Sequence, residues 1–209
     1  DDGIEIFGGD VHCKNIVVSL CEDDAFDLDQ GYRGSMQFLL ALQSSESDHA
    51  LEISGGSNPL PSLPEAFPVI SHVTAIGSAS AQETALIDFS SHGGGFIHNS
   101  ILSGAEKGVS LVYTETAGDV FSLFEEGDLM VSHTLFHPVN DTVQTLYTYA
   151  ELPVDLSLQN QVLKDSLLQW ENAFYDMGVG GGFPPVILPV STDKKKKKSL
   201  DPWFDRVTY

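Results

Sequence analysis

The sequence predicts an all-β solenoid, a parallel β-helix of about five coils, followed by one amphipathic helix and an irregular tail. Three observations carry this. A short motif recurs, in which an acid, any residue and Gly or Ala precede a strand-like run; its Gly/Ala falls at positions 3, 25, 50, 85 and 108. A second strand-like series follows each first one, with a polar pair at its centre in most copies. No apolar run approaches the roughly 18–20 residues that span a bilayer. A repeat of about 20–30 residues is the signature of a solenoid, whose units each bury a face only against their neighbours.

The first series is "DDGIEIF", "DDAFDLD", "DHALEIS", "ETALIDF" and "EKGVSLV". Strand side chains alternate between faces, so Ile4, Ile6, Phe26, Leu28, Leu51 and Ile53 point inward and stack as an apolar ladder. Parallel coils stack at about 4.8 Å, which brings equivalent side chains into line. The Gly/Ala positions then read as equivalent corners, with Ala25, Ala50 and Ala85 matched.

The second series is "VHCKNIVVSL", "SMQFLLALQ", "VISHVTAIG", "FIHNSILSG" and "LMVSHTLFH". Its polar pairs are Lys14-Asn15, Ser71-His72, His98-Asn99 and Ser132-His133; the "SMQF" copy departs from the pattern. Each coil therefore reads as strand, turn, strand, polar bend and short third strand. Asn15, His72, Asn99 and His133 are expected to form a structural ladder that satisfies turn backbone. Ser54–Pro68, rich in Pro, Gly and Ser, is expected to be a surface loop between coils.

The repeat fades after about residue 138. Leu158, Val162, Leu167, Trp170, Phe174 and Met177 recur at helical spacing, so residues 139–178 are read as a loop and an amphipathic helix that packs on the solenoid and ends at Gly178. Residues 179–209 are read as a linker with the Lys194–Lys198 run and a terminal segment. The three units are thus 1–138, 139–178 and 179–209.

Thirty acidic residues face ten basic ones, for a formal charge of −20. Five of the ten lie in the lysine run, which leaves no basic footprint for a phosphate backbone and excludes nucleic-acid binding. Cations are the natural counterparts of such a surface. Cys13 and Cys21, eight positions apart on a roughly straight segment, stand too far apart to bond. Asn140-Asp141-Thr142 is an N-glycosylation sequon.

The candidate site lies on the outer face. With Phe26 and Leu28 inside, Asp27 and Asp29 face out, and adjacent coils place Glu5 and Glu52 beside Asp27. Like charges about 5 Å apart repel and must be screened, protonated or bridged by a cation. Glu5, Asp24, Asp27, Asp29 and Glu52 are therefore candidate calcium ligands, since calcium takes six to eight oxygens. A plain hydrated acidic face is the simplest alternative. Glycoside hydrolysis by paired carboxylates is a third, and a carbohydrate site would want exposed aromatics nearby, with Tyr32, Phe67 and Tyr113 as candidates. No nucleophile–histidine arrangement and no phosphate-binding glycine loop is recognisable, and no catalytic residue is assigned. His72, His98 and His133 read as turn or core histidines.

The segment "DDGIEIFGGDVHCKNIVVSLCEDDAFDLDQGYRGSMQF" resembles the recurring segment of secreted or surface-anchored bacterial β-helix proteins, within the right-handed, pectate-lyase-like superfamily, and "DPWFDRVTY" looks like the start of a motif that ends such domains. The resemblance implies an extracellular or cell-surface location, and a structural or adhesive role is the favoured reading, with enzymatic activity left open. Polysaccharide binding or degradation on the acidic face is the alternative. Superfamily lyases use a basic residue beside calcium, for which the coils offer Lys14, Arg33 and Lys107 alone. Nothing in the sequence is an obvious cover for the Asp1–Phe7 end, so further chain or another copy docked end to end is expected there, and end-to-end docking that does not close builds a filament.

Overall fold

The computed structural model describes residues 1–56, 63–78, 85–105, 107–112 and 120–137, and the backbone of three later strands. The strands are β1 (Ile4–Phe7), β2 (Cys13–Ser19), β3 (Phe26–Asp29), β4 (Ser35–Leu42), β5 (Leu51–Ser54), β6 (Val69–Ile76), β7 (Ala85–Ser90), β8 (Gly95–His98), β9 (Ile101–Ser103), β10 (Lys107–Leu111), β11 (Leu129–Ser132), β12 (Leu135–His137), β13 (Tyr147–Tyr149), β14 (Leu152–Pro153) and β15 (Gln161–Val162). One helix, α1 (Val120–Glu126), precedes β11.

The first sheet runs β1-β3-β5-β7-β10-β13-β14, parallel except for the last pair. The second stacks β2, β4 and β6, then continues as the paired short strands β8/β9 and β11/β12, and ends on β15. Each coil gives one strand to the first sheet and a bent strand to the second, as expected of a parallel β-helix. Both sheets carry on past residue 138, where β13 and β15 add a further rung. The amphipathic helix expected up to Gly178 needs correction at one point: Gln161–Val162 is a strand paired with Leu135–Phe136. The backbone hydrogen bonds offered by β12 prevail there over the helical spacing of apolar residues. The rest of that expected helix, the lysine run and Asn140 lie outside the described residues.

The apolar ladder is as expected in β1, β3 and β5. Ile4, Phe26, Leu51 and Ile87 share one inward column, and Ile6, Leu28, Ile53, Phe89 and Leu111 share another. Phe26, Leu28, Leu51, Ile53, Ile87 and Phe89 have no exposed surface, while Ile4 and Ile6 on the edge strand are partly buried.

The expected corner match of Ala50 with Ala85 is off by one residue. Leu51 pairs with Ile87, and the Ala50 N–H donates to Leu86 O at 2.9 Å. The reason is the two-residue period of a strand. Matching Ala85 to Ala50 would place Asp88 at the core position of Ile53, and the one-residue shift turns it outward and brings Ile87 and Phe89 in.

The polar bend is a column of left-handed backbone. Asn15, His72, Asn99 and His133 have φ of 58°, 59°, 53° and 51°, and Phe38 of the deviant copy joins them at 59°. Left-handed φ is uncommon outside glycine and favours Asn and His, which is why the pair is legible in the sequence. Phe38 is held there against the His72 ring, with centroids 5.0 Å apart. The buried turn backbone is served by the next residue inward: Ser100 Oγ donates to His98 O and Thr134 Oγ1 to Ser132 O.

The insertion after β5 is only partly a surface loop. Leu63 is exposed, but Ala66 is fully buried, and the Phe67 N–H donates to Tyr32 O at 2.8 Å. Cys13 and Cys21 are free thiols packed against the core.

Candidate functional site

The site is built on the outer face of the first sheet and on the turn that enters it. Register sets Glu5, Asp27, Glu52 and Asp88 side by side, with Ser110 next in line. Glu5 is exposed, Asp27 and Glu52 are half-buried, and Asp88 is buried. The entering turns stack as well: Gly3 N–H donates to Asp24 O, and Ala25 N–H to His49 O, each at 2.9 Å. Asp2, Asp24 and His49 therefore sit at equivalent places in successive coils. A Cβ on Gly3 would stand 2.2 Å from Val18 Cγ1, so the first of these corners requires glycine.

Asp24 is the hub. Its Oδ1 accepts from the His49 backbone N–H at 2.8 Å and from His49 Nδ1 at 2.9 Å. Its own N–H donates to Asp2 Oδ1 at 3.1 Å. His49 Nε2 lies 3.4 Å from Asp48 Oδ1 and 4.0 Å from Asp88 Oδ1. Donor atoms fall within 4.8 Å of one another in four overlapping groups: Asp24, Asp48 and His49; Asp2, Glu5 and Asp27; Asp2, Asp23 and Asp24; and Asp24, Asp27 and Glu52. Asp27 Oδ1 and Asp48 Oδ1 are buried atoms without a hydrogen-bond partner.

The electrostatics follow from this crowding. Burial, then the charges of Asp24, Asp2, Asp29 and Glu5, push Asp27 up to about 7. Burial opposes charge on Asp24, yet hydrogen bonds from His49 and Glu52 outweigh it and hold Asp24 below its ordinary value. Burial and the Asp24 carboxylate drive its partner Glu52 upward. Burial also works against a charged His49, but Asp24, Asp88 and Asp48 raise it to about 9. A carboxylate hub thus holds a protonated acid on one side and an imidazolium on the other.

Of the residues singled out from sequence, Glu5, Asp24, Asp27 and Glu52 meet in this cluster. Asp29 faces out but stands at the far end of β3, where it accepts from the Gln30 N–H in a left-handed turn. Asp2, Asp23, Asp48, His49 and Asp88 join the cluster without having been singled out. The expected aromatic neighbours need correction. Tyr32 has no exposed surface; its hydroxyl donates to Val11 O at 2.8 Å, and burial pushes its pKa upward. Phe67 packs edge-on against Phe96, with the Arg33 guanidinium 5.3 Å from its ring centre. Tyr113 lies outside the described residues.

Stacked parallel coils carrying a registered acidic face define a right-handed parallel β-helix. The chain belongs to the pectate-lyase-like β-helix family: the model of the "Pectate-lyase like beta helix domain" matches residues 1–173. Comparison with curated proteins and with solved structures gives no match. No helix among the described residues is long and apolar enough to cross a membrane.

Proposed function

We propose that this chain serves as a secreted or cell-surface β-helix with a structural or adhesive role, a rigid acidic rod whose outer face is bridged by calcium. The observation that carries the reading is the crowded carboxylate register of Glu5, Asp27 and Glu52, backed by Asp2 and Asp24, with Asp27 Oδ1 buried and unpartnered. Without a cation, Asp27 and Glu52 relieve the repulsion by holding protons, since burial and neighbouring carboxylates raise both. An all-oxygen donor set of adjustable number is what calcium accepts, and an ion shared between coils would tie neighbouring rungs together. Among the described residues β1 is the terminal strand of its sheet, with Phe7 exposed on it, and either further chain or another copy of the protein is the occupant this edge would accept.

The test is a thermal melt in millimolar calcium and in chelator. Calcium raises the melting temperature of the wild-type chain, and Asp27→Asn removes most of the gain. Superimposable wild-type melts would refute calcium binding.

The Asp24–Glu52 pair favours a second reading, action on a polysaccharide. Neighbouring carboxyl groups whose proton affinities are driven apart are the equipment of an acid and its partner base. Release of reducing ends from a panel of polysaccharides, lost in Glu52→Gln, would support it. Binding without turnover, unchanged in that variant, would leave the structural role.

A further inference from the structure

We infer that the entering turns hold a second cation site, distinct in chemistry from the calcium face: a transition-metal site, zinc-like in preference, built on His49 Nε2 and Asp48 Oδ1, with Asp88 in reach and Asp24 orienting the imidazole. The argument starts from the ring. Asp24 Oδ1 takes both the backbone N–H and Nδ1 of His49, at 2.8 Å and 2.9 Å, which fixes the ring and leaves Nε2 as its outward donor. A carboxylate on one imidazole nitrogen is the usual partner of a histidine whose other nitrogen binds metal.

Nε2 then faces oxygen on two sides. Asp48 Oδ1 lies 3.4 Å away and Asp88 Oδ1 4.0 Å away. Ligands about 2.0–2.1 Å from a tetrahedral ion stand about 3.4 Å apart, so the His49–Asp48 separation is already that of two ligands on one ion. Asp88 Oδ1 is the next oxygen in reach of the same nitrogen. Asp48 Oδ1 is buried with no hydrogen-bond partner, so the contact across this gap is not used as a hydrogen bond. Asp88 is itself buried, with a side chain only 8% exposed, and can offer oxygen in a dry setting.

The donor set separates this site from the calcium face. Imidazole with one or two carboxylates suits zinc and its neighbours, whereas calcium takes oxygen. The sites share Asp24, which binds through an oxygen in one and acts through the ring in the other. Loading takes the Nε2 lone pair while Nδ1–H stays on Asp24, and a proton carried on Nε2 leaves to solvent.

The test uses the full 209-residue chain, without a histidine tag, titrated calorimetrically with zinc alone and with calcium alone. Zinc binds one ion per chain at this site. His49→Gln weakens zinc by at least about tenfold and leaves the calcium-induced rise in melting temperature in place. Asp88→Asn weakens zinc by a smaller factor, while Asp27→Asn weakens calcium and spares zinc. Circular dichroism checks that each variant is folded. Equal zinc affinity in wild type and His49→Gln, or no zinc bound to folded wild type, overturns the site. Loss of calcium binding with zinc retained would instead overturn the calcium face alone.

Discussion

Leu28→Ala and Ile6→Ala should differ sharply, although both residues occupy the same inward column. Leu28 has no exposed surface and is flanked by Ile6 on one side and Ile53 on the other. Truncating a buried Leu to Ala costs about 2–5 kcal/mol, the spread reflecting how far the site can collapse. Collapse is restricted here, because parallel ladders on both sides hold the backbone of β3 at fixed spacing. Leu28→Ala should therefore fall in the upper half of that range. Ile6 lies on the edge strand β1 and is only partly buried, with a neighbour in the column on one side alone. Its truncation removes fewer contacts and leaves a cleft open to water, so Ile6→Ala should cost less than about 2 kcal/mol. Urea unfolding of the two variants, compared at unchanged slope, gives both values. Equal losses, or a loss below about 1 kcal/mol for Leu28→Ala, would refute the stacked column as the source of stability.

Three further outcomes follow from the same geometry. Stability in chelator should decline from pH 5 to pH 9. Asp27, raised from 3.8 to about 7, favours its protonated form in the fold, so its contribution fades as pH rises through that window; His49, raised from 6.5 to about 9, contributes fully below 6.5 and is lost through about 9. After discounting for solvent screening the combined loss is on the order of 1–3 kcal/mol by urea unfolding, and His49→Asn should flatten the limb above pH 6.5; a profile that rises with pH would contradict the cluster. Gly95→Ala should cost more than about 1 kcal/mol by thermal or urea unfolding, since φ is +115° and the new Cβ would meet Pro68 O at 2.4 Å. Asn99→Val should cost about 1–2 kcal/mol in the same assay, because a β-branched residue is strained at φ 53°, whereas Asn99→Gly should be close to neutral.

The solenoid was legible because its physics is local and repeated. Alternation of Phe26, Asp27, Leu28 and Asp29 sets the two faces of β3, and recurrence of the pattern sets the stack. The bend column was legible because left-handed backbone selects Asn and His; in the deviant copy Phe38 takes the same backbone with its ring against His72, a contact that no periodicity reports. Helix α1 is only seven residues long and lies where the repeat continues into β11, so no sustained helical period marks it. Gln161–Val162 is a strand because β12 offers an open ladder, a long-range fact.

The acidic site divides along the same line. That Asp27 faces outward between Glu5 and Glu52 follows from the residues alone, since strand parity and coil stacking are enough for that. Of the middle position of the acid-x-Gly/Ala motif the sequence singled out Asp24 alone, whereas Asp2 and His49 fill the same place in the neighbouring coils and bond to it. Asp88 joins them through a long-range fact, a one-residue shift between β5 and β7. A shift of that size reverses every side chain, so it is settled by burying Ile87 and Phe89 rather than by the spacing of a motif. The proton affinities of Asp27 and His49 were likewise undecided until packing removed water and brought charges from four coils together, because burial and neighbouring charge belong to the fold and not to the residue.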